Sequence, residues 1–252
     1  LEAILTRGTC MKIATVSLAI AGLLISSGAM AGPEATITGI SDYDFRGVSQ
    51  SGDDPALQVD ANVSGETGWY VGLWGSNVDF DNCCDEDFEL DWYAGFTAGE
   101  TVEWDFGVVY YSYPGASDDL NYTEVFLGGT YAGADDKWDF GIKQWYSWEW
   151  FGYDDYGYYT EANFNYTLPW WEIGVTAHYG YTWGDGPDDN SADSGLEEYS
   201  DYWIGLNRSF GPIDTEIRWV DTDLDDEFEV DSGVGRNDDR FIFSISTTFP
   251  WE

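Results

Sequence analysis

From about residue 32 onward the chain repeats one pattern, in which segments of about ten residues alternate apolar side chains with acidic, polar or small ones. Turn-forming residues separate these segments. In the segment 240–249, Phe241, Phe243 and Ile245 fall on one face and Ser244 and Ser246 on the other, because successive side chains of a strand point to opposite faces. A strand with an apolar outer face and a more polar inner face is typical of a β-barrel in lipid.

The pattern predicts about twelve strands. We expect them at residues 36–46, 56–64, 69–78, 89–96, 102–111, 122–131, 137–148, 158–168, 171–181, 199–208, 213–221 and 240–249. In the segment 69–78 either face can be outward, because both faces are largely apolar. Short and long connections alternate, as they do in outer-membrane barrels. The predicted fold is all-β: a closed antiparallel up-and-down transmembrane β-barrel.

Composition agrees with a folded acidic protein. The chain has 48 acidic and 9 basic residues, a formal charge of -39, yet 18% of its residues are aromatic. Disordered acidic chains are poor in aromatic residues, so this charge belongs to a folded chain. Nucleic acid is excluded as a partner, because binding its phosphates needs clustered Lys and Arg.

The start of the chain predicts export. Residues 1–10 lie upstream of a plausible initiator, Met11, and are interpreted as an over-extended reading frame. Residues 11–31 have the basic start, apolar run and small-residue cleavage site of a secretory signal peptide, with cleavage between Ala31 and Gly32. The alternative is an uncleaved anchor, but the apolar run is short for spanning lipid. Residues 32–252 then form one barrel domain.

Charged residues are expected on the inner faces of the strands and absent from the outer faces, where a basic side chain at mid-bilayer costs roughly 2–4 kcal/mol. A soluble sandwich is the alternative that this segregation disfavours. The predicted lumen-lining residues are Asp42, Asp44, Arg46, Asp60, Glu89, Asp91, Glu103, Asp105, Glu124, Asp139, Lys143, Glu161, Glu172, His178, Asp201, Arg208, Asp214, Glu216 and Arg218. Rings of carboxylates select cations. The alternative is a solvated inner face whose acids pair in part with the few bases.

No enzyme, cofactor or metal site is predicted. His178 is the only histidine, so any serine triad must use it, and a structural role is favoured. Cys83 and Cys84 are adjacent in an acidic loop and are candidates for a disulfide in an oxidising envelope. Two neighbouring thiols lack the spacing of a closed zinc site. Inward aromatic residues such as Tyr70 and Trp74 are expected to narrow the lumen.

Several blocks carry a family resemblance. They are residues 41–51 (SDYDFRGVSQS), 55–58, 68–78 (GWYVGLWGSNV), 89–91 and 111–115. These blocks resemble the TorF-type porins, and the resemblance implies a proteobacterial outer-membrane barrel with a poorly defined solute. One departure is the end of the chain, where Pro250, Trp251 and Glu252 follow the terminal aromatic Phe249.

The sequence therefore predicts an outer-membrane channel for passive diffusion of small polar solutes, favouring cations through an acidic lumen. Its expected partners are outer-membrane lipid, lipopolysaccharide and small polar or cationic solutes. The alternative is a non-conducting structural or binding barrel, whose acidic surface loops bind cations.

Overall fold

The computed structural model describes residues 32–80, 87–116, 120–134, 137–150, 155–169, 171–185, 198–224 and 237–250. The predicted signal peptide and Ala31 of its cleavage site lie outside these residues, as do Cys83 and Cys84. Among the described residues, no helix has the length and apolar character needed to cross a membrane.

Twelve long strands close into a barrel, and a separate pair of two-residue strands forms a hairpin. The strands are β1 (Glu34–Ile40), β2 (Asp44–Phe45), β3 (Val48–Ser49), β4 (Ala56–Ser64), β5 (Trp69–Asn77), β6 (Phe88–Ala98), β7 (Glu103–Ser112), β8 (Tyr122–Ala132), β9 (Trp138–Ser147), β10 (Gly157–Thr167), β11 (Gly174–Trp183), β12 (Tyr199–Phe210), β13 (Ile213–Thr222) and β14 (Arg240–Phe249). Each barrel strand pairs antiparallel with its neighbours, and β1 closes the barrel by pairing with both β14 and β4. The predicted closed antiparallel barrel is confirmed.

The outer surface of the barrel is apolar, as the alternation predicts. Its exposed side chains include Ile37, Leu57, Val59, Val71, Trp92, Trp104, Phe106, Val108, Val125, Leu127, Phe140, Ile142, Phe164, Ile204, Leu206, Ile217, Phe241, Phe243 and Ile245. The orientation of β5, left open by its sequence, is now fixed: Val71 is exposed on the outer face, while the Tyr70 hydroxyl donates to Asp105 inside the barrel at 2.7 Å.

The expectation of an uncharged outer face is wrong at two positions near the strand ends. Arg208 shares the outward face of Leu206 and Phe210, and its guanidinium lies 4.9 Å from the centroid of the Phe210 ring. Asp221 lies on the outward face of β13 and accepts a hydrogen bond from Tyr202 at 2.7 Å. A charge near the edge of a lipid-facing belt costs little, because its head can reach water.

The first strand is shorter than predicted. The expected strand 36–46 ends at Ile40, and the backbone N–H of Ser41 makes one more bond, to the carbonyl of Phe243 at 2.9 Å. The chain then turns into the barrel, where Arg46 and Gly47, with positive φ angles of 52° and 84°, form the two-residue turn between β2 and β3. Residues 41–55, here called the inner hairpin, therefore leave the wall, and residues 42–51 fold into the interior of the barrel.

The outward belt generates a stability prediction for two neighbouring residues. In lipid vesicles, Ile245→Arg should lower the free energy of unfolding by roughly 2–4 kcal/mol, because it puts a cation at mid-strand against hydrocarbon. Ser246→Arg is the matched control: it faces inward beside Asp214 of β13 and should cost much less. Urea unfolding of both variants measures the difference. Equal losses would mean that the two faces do not meet different solvents.

Candidate functional site

The inner hairpin fills the half of the lumen next to the long connections. Asp42 is 5% exposed, Arg46 7% and Ser49 1%. The hairpin is organised around the Asp42 carboxylate, which accepts hydrogen bonds from the hydroxyls of Ser49 at 2.5 Å and Ser51 at 3.2 Å. A short, polar segment thus folds as a compact turn within the barrel instead of extending the wall.

The Arg46 side chain links the hairpin to the opposite wall of the barrel. Its guanidinium makes two parallel bonds to the Glu124 carboxylate on β8, at 3.0 and 2.7 Å. Around the closed barrel, β4 to β7 separate β1 from β8 on one side and β9 to β14 on the other, so this contact reaches the far wall. Tyr111 donates a further hydrogen bond to Glu124 at 3.0 Å. The Arg46 guanidinium also lies 4.1 Å from the centroid of the Tyr159 ring.

The electrostatics of this pair favour its charged form. Burial opposes the charge on Arg46, but the adjacent Glu124 carboxylate outweighs it and raises the pKa of the guanidinium above its ordinary value. The Glu124 side chain is fully buried, so removal of Arg46 would leave this carboxylate without a partner in the interior. The pair is therefore a bidentate latch between hairpin and wall.

Arg240 at the start of β14 makes the second attachment. It contacts Asp42 at 2.5 Å and Asp44 at 2.6 Å, and donates to the Gly47 carbonyl at 3.3 Å. Burial raises the pKa of Asp44, although Arg240 opposes that shift. Arg240 is a lumen residue that was not among the predicted ones. The alternation of β14 could have found it, because it lies two residues before the inward Ile242.

Aromatic side chains pack around the inner hairpin in this half of the barrel. The rings of Tyr111 and Tyr122 stack with centroids 4.4 Å apart, and those of Tyr43 and Trp74 lie 5.2 Å apart. Burial, with Glu89 and Asp91 nearby, raises the pKa of Tyr43 well above its ordinary value. The fit is close at Gly47, where a Cβ would lie 2.4 Å from Cγ2 of Thr222. We call this region, occupied by the inner hairpin, the packed half.

His178 lies on the inner face of β11, and wall residues fix both of its ring nitrogens. Nδ1 lies 2.7 Å from Oδ1 of Asn163, while Nε2 lies 3.0 Å from Oδ1 of Asp201 and 2.9 Å from the Tyr159 hydroxyl. The ring stacks on Trp203 with centroids 5.4 Å apart. None of these partners is a serine or cysteine, and the arrangement orients the imidazole within the wall.

The other half of the lumen holds a cavity of about 350 Å³, which we call the vestibule. It lies toward the short connections, and its charged lining residues are Glu103, Asp105, Asp139, Lys143 and Glu161. Lys143 is bonded to Asp105 at 2.8 Å and lies 4.4 Å from the centroid of a neighbouring aromatic ring, that of Phe126. Four acids against one base leave the vestibule acidic.

The predicted lumen residues divide between these two regions. The packed half contains Asp42, Asp44, Arg46, Glu89, Asp91, Glu124 and Asp201, and the vestibule or the inner wall around it contains Asp60, Glu103, Asp105, Asp139, Lys143, Glu161, His178, Asp214, Glu216 and Arg218. Two predictions are wrong. Arg208 faces outward, and Glu172 is exposed in the turn before β11, where its φ of 52° interrupts the strand.

No group of three or more His, Cys, Asp or Glu side chains in the described ranges is arranged to hold a metal ion.

Comparison with known proteins identifies a family and a fold. The family model for a bacterial protein of unknown function (Gcw_chp) matches residues 29–249. This match does not confirm the TorF-type resemblance. No curated protein matches the chain.

Among solved structures, the NanC porin is 11% identical, with a TM-score of 0.55 over 85% of this chain and 98% of that one. A protein solved in a study of the in-meso crystallization of membrane proteins is 13% identical, with a TM-score of 0.51 over 86% and 83%. The outer membrane channel DcaP of Acinetobacter baumannii is 12% identical over 88% and 98%, with a lower TM-score of 0.46. The first similarity establishes that this barrel shares the fold of the NanC porin.

The latch generates a second stability prediction. Arg46→Ala should lower the free energy of unfolding by about 3–5 kcal/mol, because it leaves the Glu124 carboxylate buried without a partner. The double variant Arg46→Ala/Glu124→Ala should lose less than the sum of the two single losses. Lys143→Ala is the control: its pair with Asp105 is partly exposed, so the expected loss is about 1 kcal/mol or less. Additive losses in the double-mutant cycle, measured by urea unfolding, would show that the two groups are not coupled.

Proposed function

Because this chain belongs to the Gcw_chp family of bacterial proteins of unknown function, we propose its function from the barrel itself: an outer-membrane channel for passive diffusion of small polar solutes. The observation that carries the proposal is the division of the wall into an apolar outside and a charged inside. A barrel with this division is stable only with hydrocarbon around it and water or polar groups within it. The fold shared with the NanC porin supports the same proposal.

We propose further that the channel favours cations. The vestibule exposes Glu103, Asp139 and Glu161 to the same water-accessible space, and only Lys143 opposes them within it, where it is already paired with Asp105. Low-dielectric walls focus the field of such carboxylates into the water path and raise the local concentration of cations. Outer-membrane lipid and lipopolysaccharide are the expected surroundings of the apolar belt.

A second candidate function is a non-conducting barrel that acts through its acidic surface. The packed half favours it, because the inner hairpin reaches the far wall and its Arg46–Glu124 latch is buried. In that case the loops would bind divalent cations or bridge to lipopolysaccharide, since carboxylates are suitable ligands for hard cations. The two candidates differ in whether ions cross the barrel.

No catalytic role is proposed. The Asn163, Asp201 and Tyr159 side chains already occupy both nitrogens of His178, and none of them is the nucleophile of a hydrolytic triad.

Ion conductance separates these possibilities. In planar bilayers under a KCl gradient, the refolded barrel should give a reversal potential of the sign set by K⁺ permeation. Glu161→Gln/Asp139→Asn should reduce the magnitude of that potential, because it removes two vestibule carboxylates. Glu172→Gln is the matched control, since Glu172 is exposed in a turn outside the lumen, and it should leave the potential unchanged.

Two results would contradict these proposals. An anion-selective potential would contradict the cation preference but not the channel. Absence of conductance, both in the native chain and in Arg46→Ala/Glu124→Ala with its latch removed, would contradict the channel and leave the non-conducting barrel.

A further inference from the structure

Two buried carboxylates in the packed half have no basic partner. Glu89 and Asp91 lie on the inner face of β6, where they are 2% and 6% exposed. Within the described ranges, Oε2 of Glu89 and Oδ1 of Asp91 have no hydrogen-bond partner. Both atoms are therefore removed from water while keeping unused capacity to accept a proton or bind a cation.

The basic side chains of the packed half are engaged elsewhere. Arg46 is bonded to Glu124, and Arg240 is bonded to Asp42 and Asp44. Across the part of the chain that the structure describes, no ion pair joins a Lys or Arg to Glu89 or Asp91. A buried carboxylate without a compensating charge is strongly unfavourable, so these two groups are neutralised either by protons or by a bound cation.

A tyrosine hydroxyl lies directly beside the pair. The Tyr113 hydroxyl donates to Oε1 of Glu89 at 3.1 Å, and Tyr43 lies within electrostatic range of Glu89. The contact with Tyr113 leaves Oε2 of Glu89 without a partner. Carboxylate and hydroxyl oxygens are ligands that suit hard cations such as Ca²⁺.

The spacing of the two acids also suits one shared ion. Residues two apart on a strand face the same side, with Cα atoms about 6.6 Å apart. Two oxygens bound to one Ca²⁺ at about 2.4 Å can be separated by up to about 4.8 Å, and the flexible Glu89 side chain can close the remaining gap. Asp91 also lies within electrostatic range of Glu89, which places both charges in one region.

We infer that Glu89 and Asp91 form a buried binding site for a hard divalent cation, of the Ca²⁺ class, in the packed half of the barrel. One divalent ion neutralises both carboxylates. With two carboxylates rather than three or four, the site belongs to the weaker range of calcium sites, saturating near millimolar concentration. The inference goes beyond the proposed channel, because such an ion stabilises the packed half whether or not solutes cross the barrel.

Calcium titration of the native barrel tests the site. The refolded chain, stripped with a chelator and held in detergent, is titrated with CaCl₂ in about 0.3 M KCl, which screens diffuse binding to exposed loop acids. Its thermal unfolding midpoint should rise and saturate at millimolar Ca²⁺. Glu89→Gln/Asp91→Asn, which keeps the side-chain shapes, should lose that rise. Asp60→Asn/Asp214→Asn removes two inner-wall acids outside the packed half and should keep it.

Two results would overturn the inference. The same saturable rise in Glu89→Gln/Asp91→Asn would place the bound Ca²⁺ elsewhere. No rise in the native chain, together with a buried carboxylic-acid infrared band that Asp91→Asn weakens, would show that protons neutralise the pair. Neither result depends on conductance, so failure of this site and failure of the channel are separate outcomes.

Discussion

The bidentate bond between Arg46 and Glu124 is the contact on which the interior of this barrel depends. A twelve-stranded barrel has an interior too wide for wall side chains alone to fill at both ends. Here a hairpin enters one end, and its most distant attachment is an ion pair whose carboxylate is fully buried. Removing water strengthens the attraction between the two charges but also makes either charge costly by itself. The hairpin and the far wall are therefore stable together and unfavourable apart.

The size of the inward side chains decides where the lumen is packed and where it is open. Toward the long connections, β7 and β8 point Tyr111, Tyr122 and Phe126 inward, and these rings are buried. Toward the short connections, Gly128 and Gly141 line the wall instead, leaving the vestibule beside Asp105 and its neighbours. The inward side chains thus give the lumen two regions: a constricted half toward the long connections and a wider, water-accessible vestibule toward the short ones.

The sequence predicted the wall well because alternation is a local property. Strands β4 and β14 were predicted with their observed bounds. It failed where alternation continues without a strand, since Tyr43 and Phe45 extend the pattern of β1 although the chain has turned inward. The outward position of Arg208 was readable from its shared parity with Leu206, and was missed. The pairing of Arg46 with Glu124 was not predictable, because it joins residues 78 positions apart across the closed barrel.

The inner hairpin packs against the far wall and constricts one half of the lumen, while the vestibule is open to water. Single cysteines test this difference directly, in a background whose native cysteines are replaced by serine. Ser49→Cys places a thiol in the hairpin, where Ser49 is 1% exposed, and Asn165→Cys places one in the vestibule lining. With a charged, membrane-impermeant thiol reagent on detergent-solubilised barrels, the vestibule thiol should react at least tenfold faster, a difference of about 1.4 kcal/mol in activation free energy. Equal rates at the two positions would contradict the account.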